Sequence, residues 1–163
     1  MKVVRIIGML FGLTVLPVLS LSAYTVSFIV VETGLTQEDP AEASRLWENG
    51  LLDVFFDAGH IVSNARIARI EADVKEQTLP EDIQAEYDEA VEGGAQFFIL
   101  VLLDYTGNRN SVPRPQDISI RLFRTNPYRL VLEQKYPGRR TTPIREETEA
   151  AKNAARRLIP QVR

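Results

Sequence analysis

Seven consecutive apolar residues, Phe97–Leu103 (FFILVLL), stand between Gly93-Gly94 and Thr106-Gly107. An apolar run of that length bounded by turn signals reads as a strand, here Gln96–Tyr105. With no polar side chain to turn toward water, it has to be covered on both faces. The rest of the chain must therefore supply neighbouring strands and helices for each side of a sheet.

Those elements can be read along the sequence. Val26–Val31 is a second apolar strand, ending at Thr33-Gly34. Asp39-Pro40 pairs an N-cap oxygen with proline at the first helical position. Leu46, Trp47, Leu51, Val54, Phe55 and Ala58 then recur at intervals of 3 and 4 as one face of a helix, with Gly59 as its C-terminal cap. His60–Ser63 forms a short strand. Across Ala65–Val74 the residues Ile67, Ile70 and Val74 recur at 3 and 4, which predicts a further helical turn. Pro80 followed by Glu81 and Asp82 opens a helix that carries Ile83, Tyr87, Ala90 and Val91 and ends at Gly93-Gly94.

After the central strand comes a long polar connection, GNRNSVPRPQ (107–116), of the kind expected to be mobile. Ile118, Ile120 and Leu122 then alternate with Ser119 and Arg121, and Leu130 and Leu132 alternate with Arg129, Val131 and Glu133. With Thr125-Asn126-Pro127 as the turn, this is an antiparallel hairpin with one wet face. Pro143–Ile159 is an Ala-rich helix with acids first and Lys152, Arg156 and Arg157 late, matching the helix dipole. The expected fold class is α/β (α+β): a single mixed sheet with helices packed on it, in the order β-α-β-α-β-β-β-α.

An export segment precedes this domain. Lys2 and Arg5 lead an uncharged run from Ile6 to Ala23, with Ser20, Ser22 and Ala23 as small residues near a cleavage point, which is the layout of a secretory signal peptide. The competing reading is an uncleaved anchor, because the charge-free run continues to Val31 and is long enough to span a bilayer. Pro17 within the run and the β-branched, aromatic character of Tyr24–Thr33 favour cleavage. The division is thus 1–23 as signal peptide or anchor and 24–163 as one α/β domain facing the periplasm or another exported space. Contact with the membrane is expected only through residues 1–23 if they are uncleaved. Removing Lys2 and Arg5 from 19 basic side chains leaves 17 against 22 acidic ones, so the domain carries about −5. That balance argues against nucleic acid as a partner. The absence of cysteine removes disulfides, thiol nucleophiles and lipid attachment through a cysteine.

The candidate chemistry is sparse. Asp53, Asp57 and His60 share a helical spacing suited to a metal, but Gly59 breaks the helix before His60 is reached, so no metal and no cofactor are expected. Glu81-Asp82 and Glu146, Glu147 and Glu149 sit in first helical turns, where the dipole explains them without acid–base chemistry. Ser63 and Ser111 lack a nucleophile elbow, and His60 is the single histidine available to activate either. No phosphate-loop pattern occurs. An enzyme would require His60, Asp104 and the 106–117 loop to converge on one concavity. The one charge asymmetry is a set of seven arginines between 109 and 140: Arg109, Arg114, Arg121, Arg124, Arg129, Arg139 and Arg140. A solvated hairpin face accounts for them. Arg121, Arg124, Tyr128, Arg129, Arg139 and Arg140 are nevertheless the candidate partner surface, suited to an acidic protein, an anionic polymer or lipid headgroups.

The segments Leu46–Gly59, His60–Arg66 and Ala90–Ala95 (AVEGGA) running into Phe97–Leu103, with Asp104, Thr106-Gly107 and the closing helix Glu149–Leu158, resemble a group of periplasmic domains. The group comprises the curli-secretion lipoprotein, the lipoprotein activators of penicillin-binding proteins and the amino-terminal domain of the Tol-Pal β-propeller protein. The similarity spans Val26–Leu158 and is one of pattern. It implies a non-enzymatic cell-envelope domain whose task is to bind another, unidentified envelope protein.

Overall fold

The computed structural model describes residues 23–36, 40–71, 79–107, 112–138 and 143–162. The strands are β1 (Thr25–Thr33), β2 (Ile61–Asn64), β3 (Ala68–Arg69), β4 (Phe97–Asp104), β5 (Asp117–Arg124) and β6 (Arg129–Pro137). The helices are α1 (Glu42–Asp57), α2 (Gln84–Glu92) and α3 (Arg145–Leu158), with 3₁₀ turns at Glu81–Ile83, leading into α2, and at Ile159–Gln161, following α3. All six strands join one mixed sheet in the order β2-β1-β4-β5-β6, with β3 also paired to β1. Among these residues no helix is long and apolar enough to cross a membrane. Residues 1–22 of the proposed export segment (1–23) and Asp39 lie outside the described residues; Pro40 does not open the helix as expected, because α1 begins at Glu42 with Ala41 as its N-cap.

The all-apolar run becomes β4, the middle strand. It is parallel to β1 over eight register pairs from Val26↔Phe97 to Thr33↔Asp104 and antiparallel to β5 on its other side. Its alternate residues enter two separate cores. Phe97, Ile99, Val101 and Leu103 meet Val26, Phe28 and Val30 beneath α1 and α3, which contribute Trp47, Leu51, Phe55, Ala151, Ala155 and Leu158. Phe98, Leu100 and Leu102 meet Ile29 and Val31 on the opposite face, beneath Ile83 and Tyr87. Burial of both sides is the reason the strand needs no polar alternation.

The two glycine-terminated helices end as the sequence predicts. The Gly59 and His60 amides donate to the carbonyls of Phe56 (2.9 Å) and Phe55 (3.1 Å). Those of Gly94 and Ala95 donate to Val91 (3.0 Å) and Ala90 (2.9 Å). With Gly59 and Gly94 both at φ +82°, each end is a Schellman cap, which only glycine enters without strain.

The helix expected over Ala65–Val74 is not there: residues 65–71 run extended beside β1, and 72–78 lie outside the described residues. The Ala65 amide donates to the Phe28 carbonyl and the Ile70 amide to Glu32, with Ala68–Arg69 in register against Val31 and Glu32. The outer edge of a long buried strand needs hydrogen-bond partners, and that demand outweighs a local helical period. Ile67 and Ile70 do pack, but into opposite cores, as a strand requires and a helix forbids.

Charged groups are also buried beneath α1 and α3. Glu32 accepts from the Ala41 amide (2.7 Å), fixing the start of α1, and from Arg69 Nη2 (2.7 Å). Glu147 accepts from Trp47 Nε1 (3.0 Å) and lies 3.6 Å from Arg114 Nη1. Tyr105 and Ser44 hydrogen-bond to one another at 2.8 Å, and burial pushes the tyrosine hydroxyl well above its ordinary pKa. Arg114 and Pro115 are buried, so the end of the 107–116 connection is packed; Asn108–Ser111 lie outside the described residues.

Gly50, mid-helix in α1, is where the two helices touch: a Cβ there would stand 2.6 Å from the Ala151 Cβ. Gly50→Val is expected to force the helices apart and cost about 1–3 kcal/mol, read as a lowered urea midpoint at unchanged slope.

Candidate functional site

The chain leaves β1 through α1 toward the β2 edge and returns through α2 to β4, on β1's other side. The two helices lie on opposite faces, so the path reverses between β1 and β4. A crevice forms beyond the carboxyl ends of strands at such a reversal. Here those ends are Thr33 and Asp104. Thr33 Oγ1 donates to Asp104 Oδ1 at 3.1 Å, and the Thr106 amide donates to the same oxygen at 2.8 Å. Gly34 is obligatory beside them, because at φ +74° a Cβ would stand 2.6 Å from the Thr106 nitrogen.

The crevice opens into a hollow of about 930 Å³ over the β5–β6 half of the second sheet face. Leu102 lies in its wall, and Asp104, Asp117, Ser119, Arg121 and Lys135 contribute polar groups, with Glu71 and Thr106 also lining it. Arg121 Nε donates to Glu133 Oε1 at 3.0 Å, and Ser119 Oγ donates to that oxygen at 3.4 Å. Lys135 Nζ is 4.0 Å from it. Asp104 and Asp117 are direct cross-strand partners, so two like charges face one another at the upper end of the site. The site therefore presents carboxylates, cations and hydroxyls together over an apolar patch.

The candidate partner surface divides in the structure. Arg121 is corrected outright: it is 2% exposed and turns into the sheet face beside Glu133 instead of standing on a wet face. Alternation identified its side of the strand, but not that the side would be enclosed. Arg124, Tyr128 and Arg129 lie at the opposite end of the hairpin. Arg124 is half-buried, with its guanidinium 5.1 Å from the Phe97 ring centroid. Tyr128 stacks on Phe123 at 5.6 Å and meets Tyr87 edge-on at 5.7 Å. Arg129 is exposed. Arg139 and Arg140 lie outside the described residues.

The remaining candidates also disperse. Asp53 binds Lys152 Nζ at 2.8 Å, raising the lysine's pKa. His60 Nδ1 accepts from the Tyr24 amide at 3.3 Å, with its ring against Tyr24 and Phe55. Tyr24 precedes the first residue of β1 and Thr33 is the last. At ~3.3 Å per residue, His60 is roughly 30 Å from the Thr33–Asp104 crevice. Asp104 and Asp117 do meet in one concavity; His60 does not join them. Sequence reasoning included Asp104 but missed Lys135, Ser119 and Glu133 as one site. Their signal was polar residues recurring on one side of both hairpin strands.

A family model described as "Uncharacterised protein" matches residues 25–135. The chain belongs to that family. No curated protein matches it in sequence. Among solved structures it is similar to a PelC dodecamer from Paraburkholderia phytofirmans, at 13% identity over 86% of this chain and 90% of that one, with a TM-score of 0.47. The hypothetical protein CT253 from Chlamydia trachomatis is similar at 9% identity over 85% and 97%, also with a TM-score of 0.47. TolB from Acinetobacter baumannii is similar at 7% identity over 86% of this chain and 28% of its own, again with a TM-score of 0.47. These are likenesses of chain path.

Two outcomes are expected. Glu133→Ala removes the carboxylate to which Arg121, Ser119 and Lys135 all turn. It should cost about 2–3 kcal/mol in denaturant unfolding, whereas Glu133→Gln should cost less. Burial lowers the His60 pKa below its ordinary value of 6.5. The folded state therefore favours the neutral ring. The contribution is complete above pH 6.5 and is lost as pH falls from there through the lower folded value. Urea midpoints measured downward from pH 7 should decline over that window, and His60→Gln should remove that part of the decline.

Proposed function

We propose that this chain is an exported, non-enzymatic binding module of the cell envelope that holds a polar segment of another envelope component in the second-face hollow. The observation that carries this reading is the incomplete cover of the sheet. Among the described residues one face lies under two helices, whereas α2 covers only part of the other. That leaves about 930 Å³ open above Asp117, Ser119, Arg121 and Lys135 at the point where the chain path reverses. The walls offer acceptors, donors and hydroxyls within one site, which suits a partner carrying both charges more than a purely anionic or purely apolar one. The distance of His60 from the hollow supports binding over histidine-assisted hydrolysis. The basic-then-apolar N-terminus supports export.

A photo-crosslinking amino acid at Ser119 tests the reading in intact cells, with the same group at Glu149 as control. We expect one discrete protein adduct from position 119, none from 149, and loss of the adduct when Asp117→Lys is added. No adduct from position 119, or identical adducts from both positions, would overturn it.

A further inference from the structure

The turns at one end of the sheet are tied together by hydrogen bonds. The Ile61 amide donates to the Tyr24 carbonyl at 2.9 Å, and the Gln96 amide to that of Thr25 at 2.8 Å. The Thr125 amide donates to the Gln96 carbonyl at 3.1 Å, and its hydroxyl to that of Ala95 at 2.6 Å. The start of β1, the α1–β2 turn, the α2–β4 turn and the β5–β6 turn are therefore neighbours. They lie at the opposite end of the strands from Thr33 and Asp104.

This end carries four of the five large apolar side chains exposed among the described residues: Phe56 (73%), Ile61 (63%), Val91 (40%) and Tyr128 (51%). They come from three separate turns, each otherwise free to use polar residues. Arg129 is exposed at the same end, where an anionic surface would attract it. Asp57 and Glu92 also lie here, so the attraction is apolar first and Arg129 adds to it on the hairpin side. The uncharged run Ile6–Ala23 enters the domain at this end, immediately before Tyr24.

We propose that this end of the domain rests on a lipid bilayer, held there by the N-terminal run in the uncleaved form that is the second of its two sequence readings. Phe56, Ile61, Val91 and Tyr128 dip into the interface, and Arg129 faces the headgroups. Apolar side chains of an interfacial surface reach about 5–10 Å into the headgroup–acyl boundary, and tyrosine is at home there. The orientation turns the hollow away from the membrane. It does not depend on the hollow binding anything, so the two readings fail separately.

The cysteine-free sequence allows a single label to be placed at will. Full-length chain carrying Phe56→Cys, Tyr128→Cys or, at the opposite end, Val112→Cys is labelled with an environment-sensitive fluorophore. It is then reconstituted into phosphatidylethanolamine–phosphatidylglycerol vesicles containing brominated lipid. Labels at 56 and 128 should be quenched at least about twofold more than the label at 112. Adding Arg129→Glu should weaken quenching at 128 more than at 56. Equal quenching at all three positions would overturn the proposal. So would a chain that loses residues 1–23 and leaves the vesicles, or labels at 56 and 128 shielded without lipid by a second copy.

Discussion

Everything in this fold follows from the pairing of β4 with β1. The two strands run parallel through the middle of the sheet, and neither has a face that water can touch over most of its length. Two such strands cannot be joined by a tight turn, so the chain must cross over. The helices that make the crossings become the cover for each face. α1 and α3 close the first face with aromatic and alanine side chains, and Gly50 allows them to approach closely. Among the described residues α2 closes only part of the second. The hollow is the remainder, and its place at Thr33 and Asp104 is where parallel strands with helices on both sides leave a crevice.

The buried ionisable groups hold ends in place. Glu32 stands near the end of β1, where one carboxylate fixes the Ala41 amide at the N-cap of α1 and the guanidinium of Arg69 in β3. Glu147 does the same between α3, Trp47 of α1 and Arg114 of the long connection. Each would be costly to bury alone and is buried with charged or hydrogen-bonding partners. The result is a domain with two unlike ends: one carries the hollow with its facing aspartates, the other the exposed apolar side chains and Arg129.

Much of this was readable from residue order. The central strand, the first strand, the glycine caps of α1 and α2, the hairpin and the dipole-matched final helix all rest on local signals, namely apolar runs, Schellman glycines and charge order along a helix. The segment after β2 was misread because its isoleucines recur at a helical period. What decides its conformation is the unpaired edge of β1, which lies elsewhere in the sequence. Arg121 fails for a related reason. Alternation tells which residues share a side of a strand, but whether a side chain there meets water depends on its cross-strand neighbours, here Glu133 of the next strand.

The sequence alone determined that this chain is an α/β domain of one mixed sheet, and that its middle strand is covered on both sides. Those conclusions depend on burying apolar surface, and the pattern of apolar residues is written locally. Tertiary structure alone decided which polar residues meet. Asp104 faces Asp117 through strand register. Lys135, Ser119 and Arg121 converge on Glu133 through a hairpin. Phe56, Ile61, Val91 and Tyr128 share one end only because three turns and the start of β1 are joined there by hydrogen bonds. Register and crossover direction are properties of paired strands, and no single stretch of sequence carries them.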